Sequence, residues 1–154
     1  MTTIDTTADT LELCTFWVGE QVYGLPVTEV QEVLGPQPLT PVPLAEPSVA
    51  GLTNLRGQLV TVLDLHLRLG TPAEESGPPA ARPQLVVRTA HGNVSVLVDR
   101  VGDVIEVDVD RVDEAPPTIT GPAADIVHSA VDLGPDGLLL VLSGGELTRP
   151  RTRA

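Results

Sequence analysis

Short apolar segments rich in Val and Leu recur along the chain at a spacing of roughly ten residues, separated by Gly, Pro, Asn and Asp. No long amphipathic stretch with helical periodicity interrupts them, so the pattern predicts an all-β protein with short helical turns. Residues 13–18 and 21–26 flank Gly19-Glu20 and read as a first hairpin. Val27, Val30, Val33 and Leu34 fall at helical offsets, but Pro26 and Pro36 leave room only for one turn followed by a short strand. The five prolines between Pro36 and Pro47 predict an extended surface connector and exclude a central strand. A strand over 59–65 then leaves through a short helical turn ending at Gly70.

Residues 71–84, rich in Pro, Ala, Glu and Gly, offer little to bury and make a loop of unusual length for a compact domain. They are expected to divide the chain into two β-rich halves. The second half opens with a hairpin over 85–89 and 94–98, turned at His91-Gly92-Asn93, and continues as strand over 101–112. There Val107 and Val109 alternate with Asp108 and Asp110, the period of a strand with one wet face. Segments 126–133 and 138–142, joined through Gly134-Pro135-Asp136-Gly137, form a closing hairpin. The expected organisation is a flexible tail over 1–12, a folded domain over 13–147, and a basic flexible tail over 148–154 carrying Arg149, Arg151 and Arg153.

The most informative local feature is Gly51-Leu52-Thr53-Asn54-Leu55-Arg56-Gly57, which sets one arginine between two glycines and then launches an apolar strand. Glycine tolerates positive φ and close backbone approach, so Gly51 and Gly57 predict a constrained corner that presents Arg56 at a fixed angle.

Composition narrows the function classes. The chain has 154 residues, a net charge of −12, and nine arginines without a lysine, which opposes the electrostatic attraction that drives nucleic-acid binding. Phe16, Trp17 and Tyr23 are the only aromatics, too few to stack single strands, and packing in the first hairpin accounts for them. No apolar run approaches the ~20 residues of a membrane span, and the start of the chain lacks a basic-then-apolar leader, so a cytoplasmic location is expected. Cys14, the one cysteine, reads as a buried thiol beside Leu13 and Phe16. His66, His91 and His128 match no metal motif, no Gly-x-Ser-x-Gly elbow occurs, and a lysine-dependent phosphate loop has no lysine to use. The acids between Asp103 and Glu114 lack the glycine and glutamate spacing of a calcium loop. Asp64 and Asp99 end apolar strands and could pair as carboxylates, but local turn hydrogen bonds are the commoner role there. Neither an enzyme nor a metal or cofactor site is expected.

Three segments together resemble the CheW family of bacterial chemotaxis adaptor proteins: Tyr23 to Val33, Gly51 to Gly57 leading into Val62-Leu63-Asp64-Leu65, and Val96-Leu97-Val98-Asp99-Arg100-Val101-Gly102-Asp103-Val104. Their order and spacing agree with the family over residues 13–142. The resemblance implies two small five-stranded SH3-like β-barrel subdomains packed side by side with a hydrophobic groove between them. It also implies a non-enzymatic adaptor, needing no cofactor, that couples the cytoplasmic tips of chemoreceptors to the histidine kinase CheA and is recruited to membrane-associated arrays. A CheW-like adaptor in a receptor pathway controlling surface motility or gene expression shares the same features. By motif position, Arg56 is the arginine tied to assembly, Val30 and Glu32 belong to a partner-contact segment, and Gly51 and Asn54 shape the same corner. Leu85, Val98 and Val101 fall where the receptor groove is lined, or equally in the core. The chain departs from the family pattern at Ser95, where glycine is common, and at 143–147, where the missing apolar pattern predicts a frayed or absent last helix.

Overall fold

The structure is a computed structural model and describes residues 9–71 and 77–149. Strands β1 (Thr10–Val18) and β2 (Gln21–Pro26) form the first hairpin, turned at Gly19 with φ of 63°. Phe16 faces Tyr23 across it, the rings stacked with centroids 6.0 Å apart. Pro26 then leads into a 3-10 turn, Val27–Glu29, and β3 (Val30–Leu34), as the proline-bounded pattern requires. The proline-rich connector follows and bridges Thr40 to Leu52. Strands β4 (Val49–Leu55) and β5 (Gln58–Asp64) pair antiparallel, and β5 runs into α1 (Leu65–Leu69). The Asp64 carboxylate caps α1 by accepting from the His66 amide at 3.0 Å, and Gly70 ends it at φ 74°.

The second hairpin is β6 (Gln84–Thr89) with β7 (Gly92–Leu97). The strand read over 101–112 is broken: β8 (Arg100–Asp108) ends in a 3-10 turn, Val109–Arg111, before the short β9 (Val112–Glu114). Val107 is buried whereas Val109 is exposed, so the two-residue period ends at Asp108. Strands β10 (Val127–Asp132) and β11 (Leu138–Leu142) form the closing hairpin. It is followed by α2 (Gly144–Leu147), which corrects the expectation of a frayed end. Leu147 has no exposed surface, and the Ser143 hydroxyl accepts from the Glu146 amide at 3.4 Å. One buried leucine and a cap hold a helix that Gly144-Gly145 alone would not.

The strands form a six-stranded sheet in the order β8-β1-β2-β11-β10-β9 and a five-stranded sheet in the order β3-β6-β7-β5-β4. These are the two SH3-like subdomains, one carrying a sixth strand of three residues. The division does not fall at 71–84. Strands β6 and β7, beyond that loop, complete the sheet begun by β3, β4 and β5, while β8 to β11 return to the N-terminal hairpin. Of that loop, residues 72–76 lie outside the described residues, 77–81 are exposed, and Arg82 and Gln84 are buried; strand partners follow from which faces are buried together, and Leu85, Val86 and Val87 of β6 have no exposed surface. Of the tails, the Asp9 carbonyl accepts from the Val109 amide at 2.7 Å, residues 10–12 belong to β1, Thr148 and Arg149 bond back to α2, and the rest lies outside the described residues.

Alternation along the strands sorts the core into two clusters. Phe16, Leu25, Leu63, Leu85, Val96, Val98 and Leu142 pack in the seam between the sheets. Leu13, Val22, Val131, Leu139 and Val141 pack on the opposite face of the six-stranded sheet. Cys14 lies only half-buried, not within the core as expected. Burial raises its thiol pKa, and the nearby Glu12 charge adds to the effect. Among the described residues, no helix is long and apolar enough to cross a membrane.

Candidate functional site

The corner around Arg56 is built by turn chemistry. Leu55 pairs with Gln58, leaving Arg56 and Gly57 as a two-residue hairpin turn with φ of 52° and 89°. Such a turn demands positive φ at both positions, a conformation an arginine adopts only against some steric cost. Asn54 steadies it, its side-chain carbonyl accepting from the Gly57 amide at 2.9 Å. Held this way, the Arg56 guanidinium donates to the carboxylate of Glu32 on β3. Strands β3 and β4 are the two edges of the five-stranded sheet, so this ion pair joins edges that share no backbone hydrogen bond. Gly51, toward the other end of β4, lets that strand lie against the connector. Its φ is 156°, and a Cβ there would stand 2.7 Å from the Thr40 carbonyl oxygen. Only glycine lets Thr40 and Leu52 exchange their two 2.8 Å backbone bonds at that spot.

The structure thus brings Glu32, Asn54 and Arg56 together at one corner, while Gly51 lies further back along β4, opposite Val62 and against the connector at Thr40. Arg56 is 66% exposed and Glu32 25%, so the pair is available to a partner. Val33 and Leu59, next to it in sequence, are 47% and 71% exposed, and add apolar surface that the sequence reading did not single out. Their signal was their place beside the corner residues, Val33 next to Glu32 on β3 and Leu59 on β5 opposite Asn54.

The other four candidates belong to the seam. Val30 pairs with Val87 and is half-buried; Val101 is also half-buried, and both pack against the seam cluster together with Val94. Leu85 and Val98 have no exposed surface, so they lie in the core and not on an open groove. Leu85 lies within β6 and Val98 in the link between β7 and β8, and both pack in the seam cluster.

A buried polar link spans the same seam. Arg82, leading into β6, donates to both oxygens of Asp64 at 3.2 and 3.1 Å. His66, 1% exposed, donates from Nε2 to Asp99 at 2.8 Å, while its Nδ1 lies 2.9 Å from the Thr71 hydroxyl. The same Asp99 oxygen accepts from the Gly19 amide at 2.5 Å. Asp99 therefore ties α1, beside the five-stranded sheet, to the first turn of the six-stranded one. Asp64, Asp99 and a histidine do converge, but as a buried tie whose groups are committed to one another. The Asp64 cap was legible in sequence; nothing local marks Arg82 as its partner. Tyr23, on the seam side of β2, has its pKa raised by burial.

Comparison with known proteins agrees with this architecture. A family model described as a CheW-like domain matches residues 12–150. Chemotaxis protein CheW of Treponema pallidum is 30% identical over 132 residues, covering 84% of this chain and 78% of the relative. Chemotaxis protein CheW of Rhizobium meliloti is 37% identical over 97 residues, covering 62% and 61% respectively. In fold, the chain resembles the crystal structure of the scaffolding protein TtCheW from Thermoanaerobacter tengcongensis, with a TM-score of 0.78 at 24% identity, over 89% of this chain and 91% of that one. With a family match that runs from β1 past α2 and a relative of this identity across most of both chains, this chain belongs to the CheW family.

Proposed function

We propose that this protein is a non-enzymatic chemotaxis scaffold that couples chemoreceptor tips to the histidine kinase CheA. The observation that carries the reading is the Glu32–Arg56 corner: an ion pair reaching solvent on a turn whose backbone is held by Asn54 and Gly57. A pre-shaped polar contact of this kind gives direction to an interface, and Val33 and Leu59 beside it supply apolar area. The kinase's own CheW-like domain would dock here, barrel against barrel. The receptor, a helical hairpin, would lay its apolar face along the seam where Val30, Val94 and Val101 reach the surface, a helix-in-groove mode. Recruitment by receptors would bring the protein to the membrane without insertion.

The test is co-sedimentation of the purified protein with CheA and a receptor signalling fragment from the same genome, for wild type and Arg56→Ala. Truncating one member of a desolvated charge set costs about 2–5 kcal/mol of binding, so the variant should stay folded and fail to sediment with the kinase. Wild-type protein that binds neither partner, or a folded variant that assembles normally, would sink the proposal.

A further inference from the structure

The six-stranded sheet has a recess of its own. Between the β1–β2 turn, β8 and the β10–β11 turn lies a cavity of about 480 Å3. Its floor is apolar: Val22 and Leu139 of the core cluster on that face line it together with Trp17 and Ile105, which pack against that cluster half-buried, so the cavity opens onto the core. Its rim is acidic, with one carboxylate from each bounding element: Glu20 from the first turn, Asp103 from β8, and Asp136 from the last turn. All three are exposed. Among the described residues, none of these carboxylates accepts a hydrogen bond or pairs with a cation.

The floor is also shaped. A Cβ on Gly102 would stand 2.6 Å from Trp17 Cζ3 and from Thr15 Oγ1, so the missing side chain lets the indole lie against β8. Arg100 stacks on the ring, its guanidinium carbon 4.2 Å from the centroid, and the Thr15 hydroxyl donates to the Asp103 carbonyl at 2.5 Å. Arg100 is therefore engaged with the indole and Arg111 donates to the Asp132 carbonyl at 2.9 Å, while among the described residues the rim acids pair with no cation.

An apolar recess ringed by three such carboxylates, on a chain of net charge −12, selects an occupant that brings an apolar side chain and positive charge together. We propose that this mouth docks a short segment of a protein partner in which a leucine-like anchor is flanked by arginine or lysine. The anchor enters over Trp17 and Leu139, and the flanking cations meet Glu20, Asp103 and Asp136. No residue of the mouth belongs to the Glu32–Arg56 corner or to Val30, Val94 and Val101 of the seam, so this docking is independent of the kinase and receptor reading.

Trp17 is the sole tryptophan, so its fluorescence reads the mouth directly in the whole isolated protein. The probes are three end-capped peptides: Arg-Leu-Leu-Arg, Glu-Leu-Leu-Glu and Arg-Ser-Ser-Arg. Only the first should shift the emission saturably. A triple variant Glu20→Gln, Asp103→Asn and Asp136→Asn should bind it about tenfold more weakly while melting at the wild-type temperature, because the three side chains are exposed. The single variant Leu138→Glu, at the same rim, supplies an independent probe: added acid there should not strengthen Glu-Leu-Leu-Glu binding. No saturable response to Arg-Leu-Leu-Arg, an equal response to either control peptide, or an unchanged affinity in the folded triple variant would overturn the assignment.

Discussion

The five-stranded sheet comes from one unbroken run of chain, β3 to β7, whereas the six-stranded sheet is assembled from both ends, β1–β2 and β8–β11. Their layouts nevertheless correspond. Each centres on an antiparallel hairpin, β6–β7 or β1–β2, with a strand laid parallel beside it, β5 or β11, that runs straight into a capped short helix. The order β3-β6-β7-β5-β4 maps onto β8-β1-β2-β11-β10. What differs is how the two helices are held. Four residues of α1 are buried, Leu65, His66, Arg68 and Leu69, so it carries its own anchor. In α2 only Gly144 and Leu147 are buried, and the fastening comes from elsewhere. Glu29 accepts from the Gly144 amide at 2.9 Å, and Arg68 of α1 donates to the Leu147 carbonyl at 2.9 Å and to that of Arg149. A Cβ on Gly144 would come within 2.6 Å of Glu29, which is why glycine sits where helix propensity would disfavour it. The sheet built from distant chain segments thus closes with help from groups beside the other sheet.

The sharpest way to break this comparison is at the tie near α1. Arg82→Ala leaves the Asp64 carboxylate buried without its guanidinium and should cost about 3–5 kcal/mol in urea unfolding. Next is Leu147→Ala, which removes the one buried apolar side chain of α2 and should cost about 2–5 kcal/mol. If α2 is the later-closing helix, amide exchange should speed up over 143–149 in that variant while β6 and β7 keep their protection. Ser143→Ala deletes a cap of long geometry, and a loss of about 0.5–1 kcal/mol in thermal melting is expected. Smallest is the effect of Arg56→Ala on stability, within about 1 kcal/mol because the pair is exposed, even though the same change should abolish assembly. A large stability loss at Arg56, or none at Arg82, would invert the distinction drawn between exposed corner and buried tie.

Much of the local structure was readable from the chain. The Gly19-Glu20 turn, the helical turn and strand between Pro26 and Pro36, the Asp64-capped α1, and the glycine-flanked Arg56 all follow from residues within a few positions of one another. The corner was legible for the same reason, since Asn54 and Gly57 act on a turn they belong to. Its ion pair was not, because Glu32 and Arg56 meet only when the two edges of a sheet are brought round to each other. Leu85 and Val98 show the converse limit: apolar residues in or just beyond a strand can face a groove or a core, and periodicity alone does not distinguish these.

The sequence by itself determined the β class, most turns and strand limits, and the turn that presents Arg56, because these depend on backbone preferences and on alternation within short windows. Only the tertiary structure decided that the chain crosses twice between sheets, that the strands before and after residues 71–84 share one sheet, and that Asp64, His66, Arg82 and Asp99 form a tie at the seam. Strand partners and buried polar pairs are chosen by the surface they remove from water together, a quantity that belongs to the assembled fold.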